Sequence, residues 1–260
     1  MKQLFLILIL ISISSTFGIA DLLDGLVLYM PLDEGEDKET TDLSENGFKG
    51  TVNGNAKWVE GKFGMALEFN ASADFVGVAD DAAFHIEDEI TQAAWVKLNR
   101  LPGAHAVIFG TRAGGGGRNI GFGYGMNPSN GIKVWTNGAN GGFKDINDNV
   151  TKLETGRWYY VSYTHTTGDN GKVKIYVDGK VTSEQDSNNP VAPAATKSQI
   201  QIGTWAGEAW PGHVDEVRLW NRAISDEEME QSMNMGGDTL LAVNPKDKLA
   251  TSWGKIKRIR

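Results

Sequence analysis

Between Asp21 and Arg222 the chain is cut into short apolar or alternating runs, each bounded by glycine, asparagine or aspartate. That cadence restricts the fold to strands and tight turns. The clearest runs are 26–32, 66–69, 75–78, 91–98, 106–109, 131–136, 158–165, 173–177, 199–203 and 213–220. Asp178-Gly179, between KIYV and KVTS, is the two-residue hairpin signature, because a type I′ turn needs positive φ at both central positions. Asn46-Gly47, Asn130-Gly131 and Asn137-Gly138 are turns of the same kind. Helix is expected only late: Ser225 caps a segment with Glu228 three residues on, Met229 and Met233 follow at helical spacing, and Gly236-Gly237 stops it. The expected class is an all-β antiparallel sandwich with one short C-terminal helix, not a parallel α/β sheet.

The two ends are of a different nature. Lys2 precedes an almost unbroken apolar run over 4–13, followed by small and polar residues as far as Ala20, the form of a secretory signal peptide. The run is short for a bilayer span, although an uncleaved anchor is the alternative. The mature protein is expected to start near Asp21, outside the cytoplasm, with its main domain over 21–235. Residues 236–260 are a linker and a tail. Over 246–260 there are six Lys and Arg against one Asp, whereas 21–245 carry 18 basic and 32 acidic residues. Leu249, Trp253 and Ile256 recur at helical spacing, so the tail reads either as a basic amphipathic helix, for an anionic surface or the acidic body, or as a frayed terminus.

Composition excludes several chemistries. The chain has no cysteine, hence no disulfide framework, thiolate metal site or cysteine nucleophile. Its four histidines, His85, His105, His165 and His213, are scattered. An acidic body repels nucleic acid. No serine lies in Gly-x-Ser-x-Gly, and the glycine-rich stretch 113–125 lacks the lysine of a phosphate loop and reads as a flexible surface loop.

Seven segments in order carry a resemblance: LYMPLDEG (28–35), DLSENGFKG (42–50), GKFGMALEF (61–69), FVGV (75–78), TQAAWV (91–96), VKIYVDG (173–179) and GHVDEVRLWNRAIS (212–225). Together they resemble the LamG-like jelly-roll domains of the concanavalin A-like lectin/glucanase superfamily, over roughly 26–232. The resemblance implies two antiparallel sheets in a jelly roll, often a structural calcium ion, and a carbohydrate- or protein-binding role. It does not imply one activity, since the fold hosts lectins and hydrolases alike.

A hydrolase would need two carboxylates facing each other across a sugar. The nearest approach to the Glu-x-Asp-x-Glu strand of laminarinase-like members is Glu184-Gln-Asp186-Ser-Asn188, which lacks the third acid and reads as loop. Asp215 and Glu216 are adjacent, and adjacent residues of a strand point to opposite faces. For calcium, Asp42-x-Ser44-x-Asn46-Gly47 sets oxygens at alternate positions of a tight turn. Pairing of the first and last strands would bring Asp33 towards Asp215. The candidate calcium ligands are therefore Asp33, Asp42, Asn46 and Asp215, with Asp145–Asn149 (DINDN) a second oxygen-rich turn. The alternative is that Asp42 and Asn46 bond only their own turn. Sugar recognition needs aromatic faces beside amides. Trp95, Trp158 and Trp220 sit in apolar strand patterns and read as core. Trp205 and Trp210 stand in a loop and Trp135 precedes an amide-rich turn, so Arg112, Trp135, Asn137, Trp205 and Trp210 are the candidate carbohydrate site; the alternative is that these indoles cover the sandwich edge.

The expected function is that of a secreted or cell-surface, non-catalytic binding module for an extracellular glycan, with calcium, where bound, structural. Two other readings stay open at this point: a glycoside hydrolase or its accessory module, and an adhesive module for a surface protein.

Overall fold

The computed structural model describes residues 22–36, 38–111, 113–115, 118–137, 143–187, 191, 199–205, 207–237 and 239. The expectations for the leader 1–20 and the basic tail 246–260 lie outside these residues. In chain order the strands are β1 Leu26–Met30, β2 Glu39–Thr41, β3 Lys49–Asn53, β4 Lys57–Glu60, β5 Met65–Phe69 and β6 Phe75–Val78. Next come β7 Glu89–Leu98, β8 Ala106–Thr111, β9 Ala113–Gly115, β10 Arg118–Ile120, β11 Gly123–Met126 and β12 Ile132–Asn137. The last are β13 Phe143–Asp148, β14 Trp158–Thr166, β15 Lys172–Val177, β16 Lys180–Asp186, β17 Ile200–Ile202 and β18 Gly212–Trp220, before the helix α1, Asp226–Met233.

Two eight-stranded antiparallel sheets form the sandwich. The first runs β16-β15-β14-β7-β18-β5-β4 with β1 paired to β18, and the second runs β13-β12-β11-β8-β17-β6-β3-β2. Alternation along the strands builds the layer between them: Tyr159, Val161 and Tyr163 of β14 and Ile175 of β15 meet Val134, Ile200, Ile202, Val76 and Val52 from the second sheet. The opposite face of the first sheet carries a further apolar cluster, including Tyr29, Trp95, Tyr160 and Trp220, which the helix covers with Met229. The expected core tryptophans Trp95 and Trp220 belong to this cluster, and Trp158 packs against it. Among the described residues no helix is long and apolar enough to cross a membrane.

The turn chemistry acts as the sequence implies. Asp178 and Gly179 both have positive φ, 52° and 74°, and join β15 to β16. Ser225 caps α1 and Glu228 reaches back to the cap, closing the capping box. Three segments differ from expectation. Glu184 and Asp186 belong to β16 rather than a loop, the DINDN segment is mostly strand β13, and the glycine-rich stretch contributes β9, β10 and β11. Each is stabilised by ladder bonds that its own polar or glycine-rich composition does not announce.

The last strand holds an irregularity that matters for its acids. Between Asp215 and Arg218 the pairing of β18 with β7 shifts register, and Glu216 takes φ 55°. A left-handed residue inside a bulge breaks the two-residue alternation. Asp215 and Glu216 consequently do not diverge as adjacent strand residues should. Both are fully buried; burial raises the proton affinity of each, Glu216 raises that of Asp215 further, and Asp33 adds to both.

Candidate functional site

The second sheet turns one face to the core, leaving the residues between Ile200 and Ile202, or between Val76 and Val78, on the outer face. The strand registers define one continuous row across it: Asp145, Trp135, Gly123, Gly110, Gln201, Gly77, Thr51 and Glu39. Three of the eight positions are glycine. At Gly123 and Gly110 the missing side chain is occupied by the Trp135 ring: a Cβ on Gly110 would lie 2.7 Å from Trp135 Cζ2, and one on Gly123 would overlap the ring. At Gly77 the missing side chain leaves a narrow gap closed only by the ends of other side chains. The nearest atoms to a Cβ there are side-chain ends, Phe75 Cε2 at 3.2 Å, Gln199 Oε1 at 3.4 Å and Asn53 Nδ2 at 3.6 Å. From Gly110 to Glu39 the row covers four strand spacings, about 19 Å.

Of the five predicted carbohydrate residues, the structure brings Trp135 and Trp205 together. Their rings stack with centroids 6.2 Å apart and planes 26° from parallel, and Val107 completes a small separate cluster. Neither indole is an open platform, because Trp135 is 4% and Trp205 9% exposed. Trp210 departs further from expectation. It is wholly buried in the main core, its Nε1 donates to the His213 carbonyl at 3.2 Å, and its own N–H closes the loop onto Gly203 at 2.8 Å. A ring so placed has no face for a sugar. Asn137 ends β12, paired with Phe143, and Arg112 lies outside the described residues. The residues that do stand on the open part of the face, Gln201, Asn53 and Phe75, escaped sequence reasoning because each belongs to a different segment and none forms a motif alone.

The four predicted calcium ligands separate into two groups. Asp42 Oδ1 accepts from the N–H groups of Tyr29 and Ser44 at 2.7 and 2.8 Å, and Oδ2 from the Ser44 hydroxyl and the Phe48 N–H at 2.6 and 3.1 Å. Those contacts use the four lone-pair directions a carboxylate offers, leaving none for a cation. Asn46 donates its Nδ2 to the Val27 carbonyl at 2.8 Å, so it pins the same turn to β1. Asp33 and Asp215 form the other group. Asp33 Oδ1 accepts from Met65 N–H at 2.7 Å, and Asp215 Oδ2 from the N–H groups of Lys62 and Phe63 at 2.8 and 3.1 Å. Asp215 Oδ1 is buried without a hydrogen-bond partner, and burial together with Glu216 pushes its proton affinity up to about 8. Within the predicted set that orphan oxygen is the feature suited to a cation; yet among the described residues no three histidine, aspartate or glutamate side chains converge where one could sit. The predicted set of four is therefore not one donor set.

Glu216, beside this pair, is held in a buried network. Its Oε2 accepts from Tyr29 Oη at 2.6 Å and from Arg218 at 2.5 Å, its Oε1 accepts from Gly237 N–H at 3.2 Å, and Arg218 also donates to the carbonyls of Ser232 and Met235. This arrangement ties β18 to the segment after α1; nothing in it faces solvent. Glu184 and Asp186 of β16 are exposed on the strand rim, with Glu184 ion-paired to Lys172.

Comparison with known proteins places these features in a family. The model of the concanavalin A-like lectin/glucanases superfamily, Laminin_G_3, matches residues 70–230. No curated protein sequence matches significantly. Among solved structures, the binding domain of Paraclostridial Mosquitocidal Protein 1 superposes with a TM-score of 0.64 at 16% identity, covering 82% of this chain and 52% of that one. The ligand binding domain of botulinum neurotoxin serotype D, solved with N-acetylneuraminic acid, gives 0.63 at 15% identity, covering 84% and 52%. Domain 4 of an extracellular arabinanase from Geobacillus stearothermophilus, solved with arabinotriose, gives 0.61 at 18% identity, covering 80% and 98%. The chain thus spans about half the length of the two toxin domains and nearly all of the arabinanase domain. With the family match running over more than half of its length and two antiparallel sheets beneath it, the chain belongs to the concanavalin A-like lectin/glucanase superfamily as a domain of the Laminin_G_3 type.

Proposed function

We propose that the chain is a secreted, non-catalytic module that binds a neutral glycan on the outer face of its second sheet. The observation that carries this reading is the open stretch of the register row around Gly77. There bare backbone is flanked by the amides of Gln201, Gln199 and Asn53 and by the ring of Phe75. Amides match sugar hydroxyls as both donors and acceptors, an aromatic edge suits the apolar face of a sugar ring, and an absent Cβ lets the ligand approach the sheet.

The charges on the row argue against hydrolysis at this face. Its only acids, Asp145 and Glu39, stand at opposite ends, seven strand spacings or about 34 Å apart. Glycosidic cleavage needs carboxyls roughly 5–10 Å apart. The arabinotriose and N-acetylneuraminic acid complexes of two structural neighbours support glycan recognition by this kind of domain, and the leader-like first twenty residues support export.

The test is thermal melting against a panel of soluble polysaccharides. A ligand that binds only the folded state raises the midpoint by mass action. At least one neutral polysaccharide is expected to raise it for the natural chain. Gly77→Val, whose Cβ meets only side-chain ends, is expected to keep the ligand-free midpoint and to reduce the shift. No shift with any glycan, or an equal shift in the variant, overturns the reading.

A further inference from the structure

On the other side of the molecule, where the first sheet emerges from beneath α1, a cavity of about 530 Å³ opens between β14, β15 and the start of the helix. That volume lies within the range of small-molecule sites, about 300–1,000 Å³. Its polar wall consists of the hydroxyls of Thr164, Thr166 and Ser225, the ammonium groups of Lys172 and Lys174, and the carboxylate of Asp226. Thr164 and Lys174 are cross-strand partners, so their side chains stand side by side on one face. Ala223 and Ile224 supply an apolar strip, and Glu227 stands at the rim.

These groups are held rather than loose. Asp226 Oδ1 accepts from Tyr176 Oη at 2.8 Å and from Lys174 Nζ at 3.4 Å. Lys172 is ion-paired to Glu184, and its backbone N–H donates to Thr166 Oγ1 at 3.1 Å. Ser225 Oγ accepts from Glu228 N–H at 3.2 Å, which leaves its own hydrogen to donate. Spare hydrogen-bonding capacity remains in the wall: two ammonium hydrogens on each lysine, the hydroxyl hydrogens of Thr166 and Ser225, and Asp226 Oδ2, while the Thr164 hydroxyl is engaged with Tyr176.

The four formal charges on the wall, Lys172, Lys174, Asp226 and Glu227, cancel, and Glu184, ion-paired with Lys172, leaves the neighbourhood slightly acidic. A strong anion would meet the two carboxylates and a cation the two lysines, whereas an uncharged polyol meets alternating donors and acceptors with no repulsion. The apolar strip beside them matches a sugar ring, which has one C–H-rich face and hydroxyls around its edge. We propose that this cavity is a second saccharide site, taking a short uncharged oligosaccharide of two or three rings. It is independent of the face around Gly77, since it lies on the other sheet. Two such sites on opposite sides make one molecule a bridge between glycan chains, with avidity available wherever both engage.

The experiment is amide-resolved NMR titration of the natural chain with maltotriose, cellotriose and arabinotriose in turn. At least one trisaccharide is expected to move the amide resonances of Thr164, Lys174 and Ser225 in a saturable manner. Lys174→Met combined with Thr166→Val is expected to weaken that binding at least tenfold, and Gly77→Val to leave it unchanged. The titration of the natural chain decides without any variant. Shifts confined to residues around Gly77 overturn this second site and leave the first. Shifts confined to the cavity overturn the first and leave the second. No shift with any of the three overturns this proposal.

Discussion

Two aspartates show how one residue type takes opposite roles within the same sandwich. Asp42 anchors its turn with every lone pair engaged by a nearby donor, so Asp42→Ala strands the buried N–H of Tyr29 and the half-buried N–H of Phe48. The expected loss is about 2–4 kcal/mol in urea unfolding, at the low end of about 1–3 kcal/mol for each of two stranded groups. The loss should be equal in calcium and in chelator; a loss seen only with calcium would restore the metal reading of that turn. Asp215 is the reverse case, a buried carboxyl with one oxygen orphaned. Burial first, and Glu216 second, hold its proton affinity near pH 8 against 3.8 when unfolded. Between about pH 4 and pH 8 the folded chain therefore keeps a proton that the unfolded chain has released. Stability contributed by this group is complete below the lower value and falls as pH rises, with a limiting slope of roughly 1.4 kcal/mol per pH unit. Urea midpoints from pH 4 to 8 should show that decline, and Asp215→Asn should flatten it. An unchanged slope in the variant would assign the decline to other groups, Glu216 foremost, whose proton affinity is raised in the same direction.

At the scale of elements, the helix is the piece whose attachment is most concentrated. Its start depends on the capping box of Ser225 and Glu228, and its end on Arg218, which is buried and donates to Ser232 and Met235 carbonyls while pairing with Glu216. Ser225→Ala is expected to cost about 1 kcal/mol. Arg218→Ala is expected to cost about 3–5 kcal/mol, because it leaves Glu216 charged or forces it to take a proton inside the protein. Equal costs for the two in urea unfolding would show that the arginine is dispensable to the tie. The cap was legible from Ser225 and Glu228 alone, and the long central strands from their alternation, with boundaries displaced by one or two residues. Strands β2 and β4 were not, nor the far end of β16 at Glu184–Asp186, since these edge segments are largely exposed and carry no apolar period. Nor could the bulge at Glu216 be read from its neighbours, because nothing in VDEVRLW marks a left-handed residue.

At the scale of the whole molecule, the candidate face is a product of register between segments far apart in sequence. Trp135 and Trp205 stood out singly as indoles in polar surroundings, and the sandwich stacks them. What sequence could not supply was the row through Gly123, Gly110 and Gly77, since only the pairing of β11, β8, β17 and β6 makes these glycines neighbours. The same row separates two uses of glycine. At 110 and 123 the absent Cβ is filled by the Trp135 ring and by close backbone, the Phe122 carbonyl lying 2.8 Å from a Cβ on Gly110 and the Phe109 carbonyl 2.8 Å from one on Gly123. Gly77 faces a gap bounded by side-chain ends alone, the nearest 3.2 Å from a Cβ. Gly110→Ala and Gly123→Ala are thus expected to destabilise by about 1–3 kcal/mol, the cost of overpacking against a ring that cannot retreat. Gly77→Ala should be neutral or slightly stabilising, because alanine loses less backbone freedom on folding. Thermal midpoints of the three variants decide the matter. If all three melted alike, Trp135 would be free to move off the sheet, and the stacked indole pair would be a mobile cover rather than the fixed end of the face.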